Sequence, residues 1–300
     1  MNTRHLRTLL AIHKYKTFSL AAEKVNLTAA AVGQQVVSLE QELRAELFDR
    51  STRPPTFTPQ GLQVVEMANK IIRLEEDTKL SLRGDLVSGT LMIGSVRSSA
   101  VNVVPGAMVK MRSKYPDLKT SLRIGLSAQL VSDVASGHLD AAIIAEHISI
   151  PQHLTWHPFL DEPLWLVLPS DMEVRPLREM LNEYPFIRFK SAVPLANVID
   201  TELSSMGVIT HDVAEVDTIN ALITCVRSGL GIAVVPEMFL LEPEMANLTK
   251  VEFGTPQISR KIGIVERINN PRKVVIEELH NHLAMQCGPQ GIPRTGTASS

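Results

Sequence analysis

The sequence predicts two unlike parts: an N-terminal all-α block with a long helix, then a C-terminal α/β region folded into two lobes. Apolar residues of the first part recur at helical spacing, as between Val32 and Leu43. After residue 89, short apolar runs alternate with helical patterns, as expected for strands joined by crossover helices. The glycine-containing segment 84–89 separates the two patterns and marks a domain boundary.

Composition and charge restrict the possible classes of protein. The 300 residues are 44% hydrophobic and only 4% aromatic, which predicts several aliphatic cores. The net charge of −2 means that any nucleic-acid-binding surface must be local. We see no apolar run of membrane-spanning length and no N-terminal signal segment, so we expect a cytoplasmic protein.

Three short helices are predicted before residue 45. The first has an apolar face that starts at Leu6, and the second begins near Ser19, which can cap it. The adjacent alanines Ala21 and Ala22 allow two helices to cross closely. Thr28 can cap the third helix.

The outer face of the third helix carries small or amide-bearing side chains and no acid before Glu42. Such a face suits the major groove of DNA, because amides pair with adenine edges and carboxylates would repel phosphates. An ordinary three-helix bundle with an exposed polar face fits the periodicity equally well. The outer face of the third helix consists of Thr28, Ala31, Gln34, Gln35 and Ser38.

A short loop rich in arginine and proline follows the third helix. Arg50 and Arg53 can reach phosphates beside a groove, while Pro54 and Pro55 stiffen the loop. Thr58 followed by proline is a strong start signal for another helix. Residues 1–58 are therefore predicted to form a winged helix-turn-helix that binds double-stranded DNA.

The same residues carry a family resemblance, because their spacing agrees across the whole block. The block resembles the LysR-type transcriptional regulators, which implies a DNA-binding regulator controlled by a small-molecule effector. The matching residues are Phe18, Ser19, Ala21, Ala22, Val32, Leu39, Glu40, Leu43, Leu47, Phe48, Arg50, Arg53, Thr58 and Gly61. We expect the DNA contacts to come from Ser19, Thr28, Gln34, Gln35, Ser38, Arg50 and Arg53.

The recognition helix departs from the family pattern, so the operator sequence is not carried over. Ala29 and Ala30 replace the usual Gln-Pro, and Gly33 replaces a serine. Arg44 stands where the family commonly has glycine. Gly33 costs about 1 kcal/mol of helix stability relative to alanine, and it reflects either close approach to DNA or a tolerated change.

Residues 59–88 are predicted to form a linker helix with the apolar stripe Leu62, Val65, Ala68 and Ile72. The resemblance implies packing against the same helix of a second subunit, and hence a homodimer or homotetramer. Packing against the chain's own C-terminal domain is the alternative.

The C-terminal part reads as an effector-binding domain over residues 89–287. Strands at 90–94, 121–124 and 140–144, with helices between them, predict a parallel sheet. A second unit repeats this order, which predicts a two-lobed clamshell like the periplasmic binding proteins. Lobe I is expected at about 89–161 and 267–287, lobe II at about 162–266, and a disordered tail at 288–300.

Ligands of such folds bind in the crevice at the carboxyl ends of the strands. Hydroxyl groups and helix starts there favour a small anion, and we expect a carboxylate-bearing metabolite. Ser127 and Thr218 can equally be plain helix caps. The expected effector-binding residues are Ser98, Ser99, Ser127, Gln129, Glu146, Lys190, Ser191 and Thr218.

Other functions have weaker support in the sequence. A clamshell solute-binding protein with an N-terminal helical dimerisation module is the alternative, but the arginines of the wing argue against it. No nucleophile or phosphate loop suggests an enzyme, and no cofactor is expected. The histidines lack further ligands at metal-binding spacing, so no metal is expected, and Cys225 reads as a small buried hydrophobe rather than a redox thiol.

Overall fold

The computed structural model describes residues 1–82, 87–146, 149–190, 193–241 and 247–294. The chain divides into two compact units, residues 1–86 and 87–300, which we treat separately. The first unit contains α1 (Thr3–Tyr15), α2 (Phe18–Lys24), α3 (Ala29–Leu43), β1 (Phe48–Asp49), β2 (Thr56–Phe57) and α4 (Pro59–Leu82).

Side-chain caps define the starts of these helices. Thr28 Oγ1 accepts a hydrogen bond from Ala31 N at the start of α3, and Thr58 Oγ1 accepts one from Gly61 N in α4. The cap of α2 is Thr17, which accepts from Leu20 N, and not Ser19 as the sequence suggested. Both residues suit a cap, but the extended backbone of Thr17 places it one residue before the helix.

The predicted buried face of α3 is confirmed. Val32, Val36 and Leu39 lie in a core with residues of α1 and α2, including the two adjacent alanines. β1 and β2 form the predicted wing as an antiparallel hairpin, in which Phe48 pairs with Phe57. The loop 50–55 connects its two strands.

The apolar stripe of α4 packs within its own unit. Val65, Ala68 and Ile72 are buried in the core shared with α1, whereas Leu62 remains 49% exposed. The expectation that the whole stripe faces a second subunit or the C-terminal domain is therefore wrong for these three residues. Helix α1 supplies the apolar partner that the sequence pattern did not identify.

Lobe I of the second unit is built around parallel strands. β3 pairs in parallel with β4 on one side and β5 on the other, as predicted from the βαβαβ order. Its elements are β3 (Gly89–Ser95), α5 (Arg97–Val101), α6 (Val104–Lys114), β4 (Leu118–Ile124), α7 (Ser127–Ala135), β5 (Ala141–Ala145) and α11 (Lys273–Gln286).

Lobe II has its own core, formed mainly by aliphatic side chains. β7 and β8 pair in parallel, and an isolated bridge from Phe186 to Ile232 joins β7 to the segment before β9. The elements of this lobe are α8 (Leu177–Glu183), β7 (Pro185–Phe189), α9 (Pro194–Ser205), β8 (His211–Val216), α10 (Ile219–Arg227), β9 (Ala233–Pro236) and β10 (Leu248–Glu252).

Two long antiparallel strands, β6 (Leu154–Pro169) and β11 (Ser259–Arg267), run through both lobes. On β6, Leu160 lies in the core of lobe I and Leu164 in that of lobe II. The segment from Ile262 to Glu266 pairs with β5, so the predicted return to lobe I at residue 267 is several residues too late. The sequence pattern missed this because β11 continues from one lobe into the other without a turn that would mark the boundary.

The C-terminal segment packs onto lobe I. Ile292 N donates to Phe159 O at 2.7 Å, and Arg294 Nη2 lies 2.8 Å from Glu266 Oε1. The expectation of disorder from residue 288 is therefore wrong for 288–294, because the glycine- and proline-rich composition concealed these anchors. Residues 295–300 lie outside the described part of the chain.

Candidate functional site

The outer face of α3 presents side chains of differing availability. Gln34 is exposed, Ser38 is half-buried, and Thr28 is exposed beside its capping bond. Gln35 Oε1 accepts a hydrogen bond from Thr8 Oγ1 at 2.6 Å, which ties this amide to α1. Gln34 is thus the freer of the two amides for reading a base edge.

The two arginines of the wing differ in their contacts. Arg50 Nη2 lies 2.7 Å from Glu40 Oε2 in an exposed ion pair. Arg53 is exposed and has no ionic or hydrogen-bonding partner among the described residues. Its guanidinium is the more available group for a phosphate.

The charge of residues 1–58 has the sign expected for a DNA-binding domain. This segment contains eight Lys and Arg against five Asp and Glu, whereas the whole chain is slightly acidic. Ser19 is exposed on α2 and adds a hydroxyl group. The local positive charge is the sequence-independent component that DNA binding requires.

A cavity of about 440 Å³ lies between the two lobes of the second unit. The carboxyl ends of strands and the starts of helices meet at this cavity, as the sequence predicted for an open α/β fold. Among the expected effector-binding residues, Ser98, Ser127 and Thr218 line it. Its other polar lining residues are Arg97, Asp217, Asn220 and Arg260.

Helices α5, α7 and α9 begin at this cavity after an apolar residue. Val96, Leu126 and Val193 occupy the three N-cap positions in extended backbone conformations and make no capping bond through their side chains. All three residues line the cavity. The first-turn N–H groups are therefore left without a side-chain acceptor, which favours an anion at these helix starts.

The two residues that the sequence read either as caps or as ligand contacts differ in the structure. Thr218 is the N-cap of α10, and its Oγ1 accepts from Ala221 N at 3.3 Å. Ser127 is the first residue of α7 rather than its cap. The Ser127 Oγ is buried and has no hydrogen-bonding partner among the described residues.

A buried ion pair stands at the cavity wall. Arg260 is 7% exposed, and its Nε and Nη2 each lie 2.7 Å from Glu162 Oε2. Glu162 is 1% exposed and also accepts a hydrogen bond from Met238 N at 3.0 Å. The carboxylate fixes the orientation of the guanidinium and compensates its charge.

Four further expected effector-binding residues are not part of the cavity lining. Ser99 is buried behind it, and Gln129 donates to Asp133 Oδ1. Lys190 forms an exposed ion pair with Glu215, and Glu146 is exposed at the end of β5. Ser191 lies outside the described residues.

The list of expected effector-binding residues left out the charged residues of the lining. Arg97 and Asp217 each stand directly before an expected residue, so their position at the start of α5 and α10 was a usable signal. Arg260 carried no such signal, because β11 reaches the cavity from a distant part of the chain.

The cysteines occupy apolar surroundings. Cys225 is half-buried against the core of lobe II. Cys287 is buried in lobe I, and burial raises the pKa of its thiol to about 12. Among the described residues, no helix is long and apolar enough to cross a membrane, and no group of His, Cys, Asp and Glu is arranged to hold a metal ion.

Two family models together match nearly the whole chain. The model of the LysR substrate binding domain matches residues 84–288, and that of the bacterial regulatory helix-turn-helix proteins of the lysR family matches residues 3–62. A probable RuBisCO transcriptional regulator of Cyanidioschyzon merolae is 31% identical over 281 residues, which cover 89% of this chain and 91% of that protein. A regulator of the same description from Nostoc sp. is 31% identical over 293 residues, covering 94% and 87%.

Solved structures agree with this fold over the full length. A full-length OxyR variant from Pseudomonas aeruginosa has a TM-score of 0.70 at 21% identity and covers 100% of this chain and 99% of its own. CbnR complexed with its target DNA has a TM-score of 0.65 at 15% identity, covering 95% and 100%. The chain belongs to the LysR family and is a transcriptional regulator with a helix-turn-helix DNA-binding domain and an effector-binding domain.

Proposed function

We propose that this regulator binds a small organic anion in the cavity between its lobes, and reads duplex DNA with the outer face of α3 and the wing. Arg53 and Arg50 contact the phosphate backbone, and Gln34 contacts base edges. The chain acts as a homo-oligomer that presents two recognition helices to two half-sites.

The convergence of helix starts on one cavity is the observation that carries the effector proposal. α7 places first-turn N–H groups there behind an apolar N-cap residue, and α5 adds the side chains of Arg97 and Ser98. α9 adds only the N–H of Leu195, because Pro194 has none and Ala196 N donates to Val193 O. A helix N-terminus favours negative charge, and such groups are satisfied by a ligand when no cap is present.

The remaining lining defines the kind of anion. Most of the wall is aliphatic or aromatic, with Phe189 and Phe239 on the side of lobe II. An apolar wall with few polar groups favours an organic acid with an apolar part over a fully hydrophilic anion such as phosphate. The expected effector is therefore a small carboxylate.

The exposed leucines of α4 support self-association through that helix. Leu74 is 69% exposed and Leu82 is 83% exposed, in addition to Leu62. Packing against a second copy of the helix would remove the apolar surface of these side chains from water. A second copy of α4 is the partner that gives a closed, symmetric assembly.

The effector proposal is tested by replacing Arg97, which lines the cavity and is exposed, so its loss leaves the fold intact. Small organic acids are screened by thermal shift on the full-length regulator. We expect Arg97→Gln to weaken the binding of acids that stabilise the native protein by about tenfold, because a charge-assisted hydrogen bond is lost.

Arg112→Gln is the matched control, because Arg112 is an exposed arginine of α6 outside the cavity lining. It should leave the response unchanged. Equal responses of the native protein, Arg97→Gln and Arg112→Gln would place the anion elsewhere and refute the assignment of this cavity.

A further inference from the structure

The two walls of the cavity carry opposite, unpaired charges. Arg97 comes from lobe I and Asp217 from lobe II, and both line the cavity. Neither side chain has an ion pair or hydrogen bond with another described residue. A ligand between the lobes therefore meets a free guanidinium on one side and a free carboxylate on the other.

Two buried polar residues line the cavity in addition to Arg97. The Arg260 guanidinium is held by Glu162 and is almost fully buried. Ser127 is 6% exposed, and its Oγ lacks a partner at the start of α7. Ser127 and the start of α7 form, with Arg97, the anion-binding pole of lobe I, whereas the charge of Arg260 is already compensated by Glu162.

Asp217 makes a simple acid an incomplete ligand. Asp217 is exposed and lines the cavity, so an effector with only a carboxylate brings a second negative charge into the same cavity, where the two like charges repel. A cationic group on the same molecule satisfies Asp217 and removes this cost. Asn220 lies beside it on the lining and offers a further amide for the same group.

We propose that the effector is a small zwitterion with an apolar body, of the class of the α-amino acids with apolar side chains. Its carboxylate binds at the lobe I pole, its ammonium group binds Asp217, and its side chain contacts the apolar wall near Phe189 and Phe239. This inference rests on the proposed function, namely that an anionic effector occupies this cavity.

An alternative role for Arg97 and Asp217 predicts a different pattern of ligand affinities. Arg97 and Asp217 can also pair directly with each other as the lobes close, so that Asp217 supports closure around any ligand. Loss of Asp217 would then weaken every effector by the same factor. Recognition of an ammonium group predicts instead a loss confined to ligands that carry one.

The test compares each amino acid with its deaminated acid by calorimetry on the full-length protein. The pairs are leucine with 4-methylpentanoate, valine with 3-methylbutanoate, and phenylalanine with 3-phenylpropanoate, and 3-methylbutan-1-amine is the amine without a carboxylate. We expect at least one amino acid to bind at least about tenfold more tightly than its deaminated acid. Asp217→Asn should abolish most of that difference, because the amino acid binds more weakly and the acid, which no longer meets an opposing carboxylate, binds no less tightly.

Asp171→Asn is the matched control, because Asp171 is an exposed aspartate of lobe II outside the cavity lining. It should change neither affinity. Equal weakening of an amino acid and its acid by Asp217→Asn would overturn the proposal in favour of closure.

Acids that bind as tightly as their amino acids would refute the zwitterion and leave the anion proposal standing. Binding of the amine alone would refute both proposals. Absence of binding by every probe also overturns the zwitterion, and the Arg97→Gln measurement on other organic acids then decides the anion proposal separately.

Discussion

At the scale of single residues, the two arginines of the wing are not equivalent. Arg50 must leave Glu40 before it can contact a phosphate, whereas Arg53 has no ionic partner within the described residues. An exposed ion pair contributes little to stability, so breaking it costs less than about 1 kcal/mol. We therefore expect the removal of Arg53 to affect DNA binding most directly.

We expect Arg53→Gln to weaken binding to all DNA sequences and to reduce the slope of log affinity against log salt by about one unit, because one phosphate contact is lost. Fluorescence anisotropy over a range of salt concentrations measures both effects. Arg112→Gln, which changes an arginine of the second unit, is the control. An unchanged slope in Arg53→Gln would contradict the assignment of the wing.

The candidate site was predictable at single residues only where a local signal existed. Ser127 and Thr218 were identifiable because hydroxyl residues before a helical pattern mark a helix start. The sequence could not show that Gln34 is freer than Gln35 to contact DNA, because this difference arises from the hydrogen bond between Gln35 and Thr8 of α1. The position of Arg260 at the cavity depends on the pairing of β11 with β6, which no local sequence pattern encodes.

At the scale of elements, α3 and its C-terminal cap each include one residue type that disfavours the backbone conformation at its position. Gly33 lies inside the helix, where a Cβ would meet no atom within 4 Å. Arg44 follows the last turn in the left-handed conformation, with φ of 51°, at the position where the family commonly has glycine. Both residues lower the stability of the helix that is expected to read DNA.

Gly33→Ala and Arg44→Gly are each expected to raise the free energy of unfolding by about 0.5–1 kcal/mol, for these backbone reasons. Urea titration measures the change. A loss of stability in Gly33→Ala would mean that the backbone there is not that of a regular helix. DNA affinity of the same variant decides whether Gly33 permits close approach to DNA, since the free protein has room for a methyl group.

Element types were more predictable than the partners of each element. The periodicity of α4 correctly indicated a helix with an apolar stripe, but not that α1 covers Val65, Ala68 and Ile72. The alternation of strands and helices in lobe I predicted its parallel pairing. Periodicity reports which face is buried, and tertiary packing decides what buries it.

At the scale of the whole molecule, two histidines of lobe I have a lowered pKa in the folded protein. One is His157 of β6, which the C-terminal segment contacts, and the other is His280 of α11. Burial, followed by the charge of Arg294, lowers the pKa of His157 to about 4. Arg294 Nη2 lies 3.0 Å from His157 Nε2. Burial also lowers the pKa of His280.

A histidine with a lowered pKa in the folded state makes stability depend on acidity. In the unfolded chain this histidine becomes protonated near pH 6.5, so the stability that depends on neutral His157 is fully present above that pH. It is lost as the pH falls from about 6.5 towards 4, where the folded protein also becomes protonated. We expect the free energy of unfolding of the native protein to fall across this window more steeply than that of His157→Gln.

Denaturant unfolding at a series of pH values checks this expectation. His153→Gln is the control, because His153 is exposed. Burial raises the pKa of Glu266, which acts in the opposite direction, so the difference between the native protein and each variant is the quantity to compare. Parallel pH profiles of the native protein and His157→Gln would contradict the expectation.

In the proposed effector site, the apolar N-cap residues imply a trade-off between thermal stability and sensitivity to the effector. Leu126→Ser would supply an internal acceptor at the start of α7 and add up to about 1 kcal/mol of stability. The same hydroxyl would compete with the effector for the N–H groups of that turn, so the dose of effector needed for a response would rise. A sensor of this design remains responsive because part of its stability is supplied by the molecule that it detects.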